Sequence, residues 1–249
     1  MTGAGASPVL RVEGAVIVRG RGRDAVTVLR DTDLTVRAGE IIGISGPSGA
    51  GKSSLLGVLA GELTAAAGTV ELRAASATGP PRRVRRLAPG SVALVAQDPM
   101  ATLDPLWPVD RSVAEPLRAA GISRAEARAR ALDALQAVGL AHLGPGRRPR
   151  ELSTGQAQRA CIARALSGRP VLLLADEVTS ALDVTTAAAV AALLRDAADA
   201  GTAVIMVSHN HLLLDSVCDR RLHLAGGRLQ AHPAVPSSAH STDGADETA

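Results

Sequence analysis

The chain has 249 residues, 46% of them hydrophobic and 20% charged, enough to bury the core of one large domain, so a disordered or fibrous chain is excluded. Its 27 basic and 24 acidic residues leave a net charge of only +3, so the pI near 9.6 reflects a small excess; nucleic acid is not an expected partner. No stretch approaches the ~18 apolar residues of a membrane span, and the first residues lack the apolar segment of a secretory leader, so any membrane role is expected to run through a partner.

Two features of composition stand out before any motif. Cys161 and Cys218 lie far apart and form no metal-ligand pattern, which fits small core residues in a reducing compartment. Lys52 is the only lysine among the 27 basic residues, Phe and Tyr are absent, and Trp107 is the sole large aromatic. A chain so biased towards arginine that keeps one lysine implies a site needing a compact ammonium.

In chain order, residues 9–19 and 26–37 read as Val- and Leu-rich strands, and 41–44 as a short buried strand running into a Gly-rich turn. A helix is expected over 53–63, a strand over 68–73, a solvated Arg-rich turn at 80–86 and a strand over 91–97 ending at Gln97. Residues 110–141 are helical in pattern, with Ser123 and Glu126 at capping-box spacing. A helix over 156–167, an apolar strand at 171–174, an Ala-rich helix over 184–200 and a buried strand at 203–208 follow. The composition from 231 to 249 is small and polar and reads as a disordered tail. Apolar strands alternating with helices imply an α/β fold around a parallel sheet.

The chemistry concentrates in a few motifs. Gly46-Pro47-Ser48-Gly49-Ala50-Gly51-Lys52-Ser53 fits G-x-x-x-x-G-K-[ST] between a buried strand and a helix. Its glycines turn backbone N–H groups around a phosphate, the helix start adds positive potential, Lys52 reaches the terminal phosphates of a bound nucleotide such as ATP, and Ser53 ligates Mg²⁺. The apolar strand at 171–174 runs through Ala175 into Asp176 and Glu177, where one carboxylate holds the metal and the other orients water.

Leu152-Ser153-Thr154-Gly155-Gln156 opens a helix, and its Ser153 precedes Asp176 by 23 positions (176 − 153). It resembles the LSGGQ signature of ABC ATPases; Gln97 resembles their Q-loop, Ser180-Ala181-Leu182-Asp183 their D-loop, and His209 their switch histidine. With Ala96-Gln97-Asp98-Pro99 and the stretch from Ala163 to Val184, the chain most resembles the ATP-binding subunits of dipeptide, oligopeptide and nickel importers.

The resemblance implies a P-loop NTPase with a RecA-like parallel core, an antiparallel β subdomain and an inserted helical subdomain at about 98–154, all within 8–230. It implies ATP and Mg²⁺ as cofactors, with nucleotide contacts from residues 46–54, Ser54 included, and from Ser153, Gly155, Gln156 and Asp183. Mg²⁺ would be held by Ser53, Gln97 and Asp176, with Glu177, His209 and Gln97 in catalysis. The implied partners are transmembrane permease subunits, a solute-binding protein and a second ATP-binding subunit in a head-to-tail dimer, at the cytoplasmic face of the membrane. A non-transport ABC ATPase, such as a subunit of a phosphonate-degrading complex, is the alternative.

Several positions depart from the family pattern. Thr154 replaces a glycine, a strained choice if a positive φ is required. Val178 replaces a proline and is expected to soften its turn, and Asn210 stands where Asp is common. The adenine-stacking aromatic expected near residues 17–20 is missing, and Arg19 falls at about that position.

Overall fold

The computed structural model describes residues 8–20, 22–73, 82–83, 90–144 and 146–232. The expected tail from 233 onward, and most of the Arg-rich turn, lie outside the described residues. Arg82–Arg83, expected within that turn, forms a short strand, β5, paired with the 67–72 strand.

Strands β1 (Pro8–Arg19) and β2 (Val26–Arg37) pair antiparallel, and β4 (Ala67–Leu72) joins the other edge of β1, giving a four-stranded sheet in the order β2-β1-β4-β5. A second, six-stranded sheet runs β10-β9-β3-β8-β7-β6. It consists of β3 (Ile41–Ser45), β6 (Val92–Val95), β7 (Leu172–Asp176), β8 (Ala203–Val207), β9 (Arg220–Ala225) and β10 (Arg228–Ala231). Every pairing in it is parallel except β9 with β10.

The apolar runs follow from burial on both faces. Ile42, Ile44, Leu172, Leu174, Ile205 and Val207 pack with the antiparallel sheet and with α1 (Lys52–Leu59). Their neighbours Ile41, Leu173, Ala175, Val204 and Met206 pack on the opposite face with the helices α3 (Val109–Ala119), α4 (Arg124–Ala137), α5 (Thr154–Ser167) and α6 (Val184–Asp199). A strand with period two thus divides its residues between two cores. Both strand sets hold Val, Ile and Leu at 0% exposure in β3, β7 and β8.

Some boundaries differ from expectation. Helix α1 ends at Leu59, short of the expected 63, because Gly61 takes a left-handed φ of 79° and stops it. The helical stretch 110–141 is two helices separated at Gly121, φ 85°. Ser123 caps α4, its Oγ accepting from Glu126 N at 3.3 Å, but the Glu126 carboxylate pairs with Arg130 at 2.5 Å instead of completing a capping box. A one-turn helix α2 (Pro99–Thr102) and α7 (His211–Val217) were not expected. Cys161 is buried and Cys218 half-buried, and burial pushes both thiols up to about 12.

Candidate functional site

The Gly-rich loop leaves the C-terminal end of β3 and enters α1. Gly46 is forced by space, since a Cβ there would lie 2.2 Å from the Leu224 carbonyl oxygen of β9. Gly51 takes φ 102° as the N-cap of α1, and a Cβ would meet Leu29 of β2 at 2.7 Å. Lys52 is 6% exposed, and its ammonium donates to the carbonyl oxygens of Gly46 and Pro47 at 2.9 Å each. The lysine is therefore folded back over the loop that precedes it, while Pro47, Ser48, Gly49 and Ser53 remain exposed. The first amides of α1 have no partner within the helix. A loop with this curvature, these amides and this buried cation suits the phosphates of a nucleoside triphosphate.

Two strands bring the acidic groups and the histidine to the same end of the sheet. Strands β7 and β8 are in parallel register, Asp176 opposite Val207. Glu177 then leaves the sheet with φ 49°, uncommon for a non-glycine residue and typical of functional turns. The turn is held firmly: Glu177 N donates to Val207 O at 3.0 Å, and Ser180 donates to the Glu177 carbonyl through both its amide (3.1 Å) and its hydroxyl (3.0 Å). Val178 is 2% exposed in the core beneath it, so the residue replacing proline anchors this turn by packing. The Glu177 carboxylate and His209 Nε2 are 3.0 Å apart. Asn210 caps α7, accepting from Leu213 N at 3.1 Å, the task an Asp would perform. Gln97 is exposed just beyond β6, beside Asp98, which caps α2.

The signature residues begin α5. Ser153 is its N-cap and forms a full capping box with Gln156: Gln156 N donates to Ser153 Oγ at 3.3 Å and Ser153 N donates to Gln156 Oε1 at 3.0 Å. Thr154 is the first helical residue and is not left-handed; the left-handed non-glycine residues among those described are Asp31, Arg169 and Glu177. The strain expected of Thr154 is absent because the position needs only helical φ. Gly155 is the constrained position, since a Cβ would meet Thr186 Cγ2 at 2.8 Å.

Asp183 caps α6 through Thr186 N at 3.0 Å and Thr186 Oγ1 at 2.7 Å, and the Thr186 hydroxyl chiefly holds its carboxyl below the ordinary range. Signature and D-loop residues line one cleft of about 300 Å³, to which none of residues 46–54 contributes. Two residues that no motif marks also touch the signature: Thr186, and His142, whose Nε2 lies 3.3 Å from Gln156 Nε2. Both stand outside the motif in sequence, and only folding reveals the contacts.

A Gly-rich loop leaving β3 and paired carboxylates at the end of β7, in one parallel sheet, fit a P-loop protein that hydrolyses a nucleoside triphosphate. The chain belongs to the ABC transporter family, whose model, described as ABC transporter, matches residues 29–180. It is 40% identical over 210 residues to a methionine import ATP-binding protein of Nocardia farcinica, covering 84% of this chain and 62% of that protein. It is 40% identical over 225 residues to the lipoprotein-releasing system ATP-binding protein LolD 2 of Caulobacter vibrioides, covering 90% and 97%. A putative peptide import ATP-binding protein of Brucella abortus is 35% identical over 238 residues, covering 89% and 70%. Among solved structures, the dimeric ATP-binding cassette MJ0796 in a post-hydrolysis state, bound to ADP and Pi, superposes with a TM-score of 0.76 at 26% identity, covering 89% of this chain and 98% of that one. The chain is thus an ABC-type ATP-binding subunit and ATPase, with the expected architecture of parallel core, antiparallel β subdomain and helical insertion.

Proposed function

We propose that this subunit powers the import of peptides, nickel or similar solutes from the cytoplasmic face of a membrane. It works as a head-to-tail dimer with an identical or related chain, beneath transmembrane permease subunits supplied by a solute-binding protein. The observation that carries the reading is that one chain presents two half-sites. The phosphate loop, Asp176, Glu177 and His209 gather at strand ends, while the Ser153–Gly155 helix start opens onto a separate cleft. A helix N-terminus suits a phosphate supplied by a second chain. In this reading residues 46–54 and the partner's signature hold ATP, and Ser53, Asp176 and Gln97 hold Mg²⁺, which takes few protein ligands besides phosphate and water.

The helical lobe at 98–154 supplies the docking surface. Met100, Leu103, Trp107 and Ser112 line a groove of about 340 Å³ beside Leu106, which is 72% exposed. The Arg111 guanidinium lies 3.9 Å from the Trp107 ring centroid. A permease segment seated there would cover the exposed Leu106 and Met100 side chains. No helix among the described residues is long and apolar enough to cross a membrane, so attachment runs through such a partner. The Ala96–Pro99 pattern and the peptide-import relative support the solute class.

The test is detergent copurification with tagged chain, combined with uptake of labelled dipeptide and Ni²⁺ in cells carrying native chain or Glu177→Gln. Copurifying multi-span proteins and uptake lost with Glu177→Gln are expected. Copurification with soluble enzymes alone, and uptake unchanged, would overturn the reading.

A further inference from the structure

The capping box at the start of α5 has a third member. A primary amide has one accepting and one donating end. The Ser153 N–H is a donor, so the end of Gln156 facing it must be Oε1, as it is at 3.0 Å. That leaves the donor Nε2 facing His142 Nε2 at 3.3 Å, and the imidazole must accept there, which requires the tautomer protonated on Nδ1.

His142 does not reach this position by chance of an exposed rotamer alone, because its loop is fixed. Leu140, two residues earlier, is 1% exposed. The turn closes with Leu143 N on Leu140 O at 3.0 Å, and Arg159 of α5 donates to Val138 O at 3.0 Å, tying the end of α4 to the signature helix.

We propose that His142 is a positioning residue of the signature. It holds the Gln156 amide in the orientation that closes the capping box and so fixes the Ser153 hydroxyl. Ser153 Oγ accepts from Gln156 N, which leaves its own hydrogen free to donate to a phosphate oxygen of the nucleotide held by the opposing subunit. The functional part of this inference rests on the composite-site reading of the signature given above.

The experiment uses the full chain, with ¹⁵N NMR for amide exchange at Ser153 and for the tautomer of His142. His142→Ala should speed exchange of the Ser153 N–H about fivefold, the loss expected for one hydrogen bond. His142→Gln, whose amide oxygen can sit where Nε2 accepts, should restore exchange to within about twofold of the native rate. ATP turnover should fall and recover in parallel, while binding of a fluorescent ATP analogue at the phosphate loop stays unchanged. Unchanged Ser153 exchange in His142→Ala, absence of rescue by His142→Gln, or a His142 ring protonated on Nε2 would overturn the assignment. Turnover unaffected by Ser153→Ala, with the exchange results as expected, would instead overturn the composite-site reading and leave the positioning contact standing.

Discussion

Glu177 Oε1 lies 3.0 Å from His209 Nε2, although the two residues are 32 positions apart (209 − 177). The parallel register of β7 and β8 ends with Asp176 opposite Val207, so the chains leave the sheet side by side and place carboxylate and imidazole together. Glu177→Gln preserves shape and removes the charge proposed to polarise water. ATP binding should persist while phosphate release falls roughly a hundredfold or more, and light scattering should show an ATP-dependent dimer that no longer reopens. His209→Ala should lower phosphate release by a similar order. A Glu177→Gln protein with native turnover would show that another group activates the water.

Lys52 is held by two carbonyl oxygens of its own loop, a space fitted to one compact ammonium. Lys52→Ala should abolish turnover and weaken nucleotide binding. Lys52→Arg should also be poor, because the larger planar guanidinium does not fit the buried turn that the compact ammonium occupies. Isothermal titration with ATP and a phosphate-release assay check both; native turnover in Lys52→Arg would remove the reason for the chain's single lysine.

Gly155 has no room for a side chain against Thr186. Gly155→Ala should destabilise the start of α5 by about 1–3 kcal/mol, the usual scale for overpacking, and depress turnover without affecting nucleotide binding at the phosphate loop. Adding Thr186→Ser removes the Cγ2 methyl 2.8 Å from the new Cβ while keeping the hydroxyl that bonds Asp183. The double variant should recover much of the loss in thermal unfolding; no recovery would place the constraint elsewhere.

Arg19 ends β1 opposite Val26, with Val18 and Val26 both exposed beside it. With no Phe or Tyr in the chain, base recognition should be loose and GTP should bind within a few-fold of ATP. Stacking on a base contributes ~1–3 kcal/mol, and 1.4 kcal/mol is a tenfold change in affinity. Arg19→Tyr should therefore tighten ATP binding about tenfold if this strand end meets the base. A strong native preference for ATP over GTP would assign adenine recognition to another side chain.

Much of this was legible in the sequence because the physics there is local. Short apolar runs at 41–44, 171–174 and 203–207 read as strands buried on both faces, and the spacing from Gly46 to Ser53 fits a phosphate-binding loop. Strands β9 and β10 escaped notice because only Leu222 and Leu224 of β9 are buried, which leaves no apolar run to read. Helix α7 was hidden by its seven-residue length. The conformation at Thr154 could not be judged beforehand, since it depends on where α5 starts. The contacts of Gly155 with Thr186 and of Gln156 with His142 arise from tertiary packing, and no spacing rule encodes them.

The division of each central strand between two cores has a consequence for how such a chain can change over time. Leu173, Ala175, Val204 and Met206 support the helical lobe, whereas Leu172, Leu174, Ile205 and Val207 support the nucleotide half. Neighbours along one strand therefore answer to different masters. Substitutions that repack the helices of the first core fall on one parity of positions and leave the other parity, and with it the packing beneath the phosphate loop, untouched. The floor of the phosphate loop can in this way stay constant while the helices across the sheet are repacked.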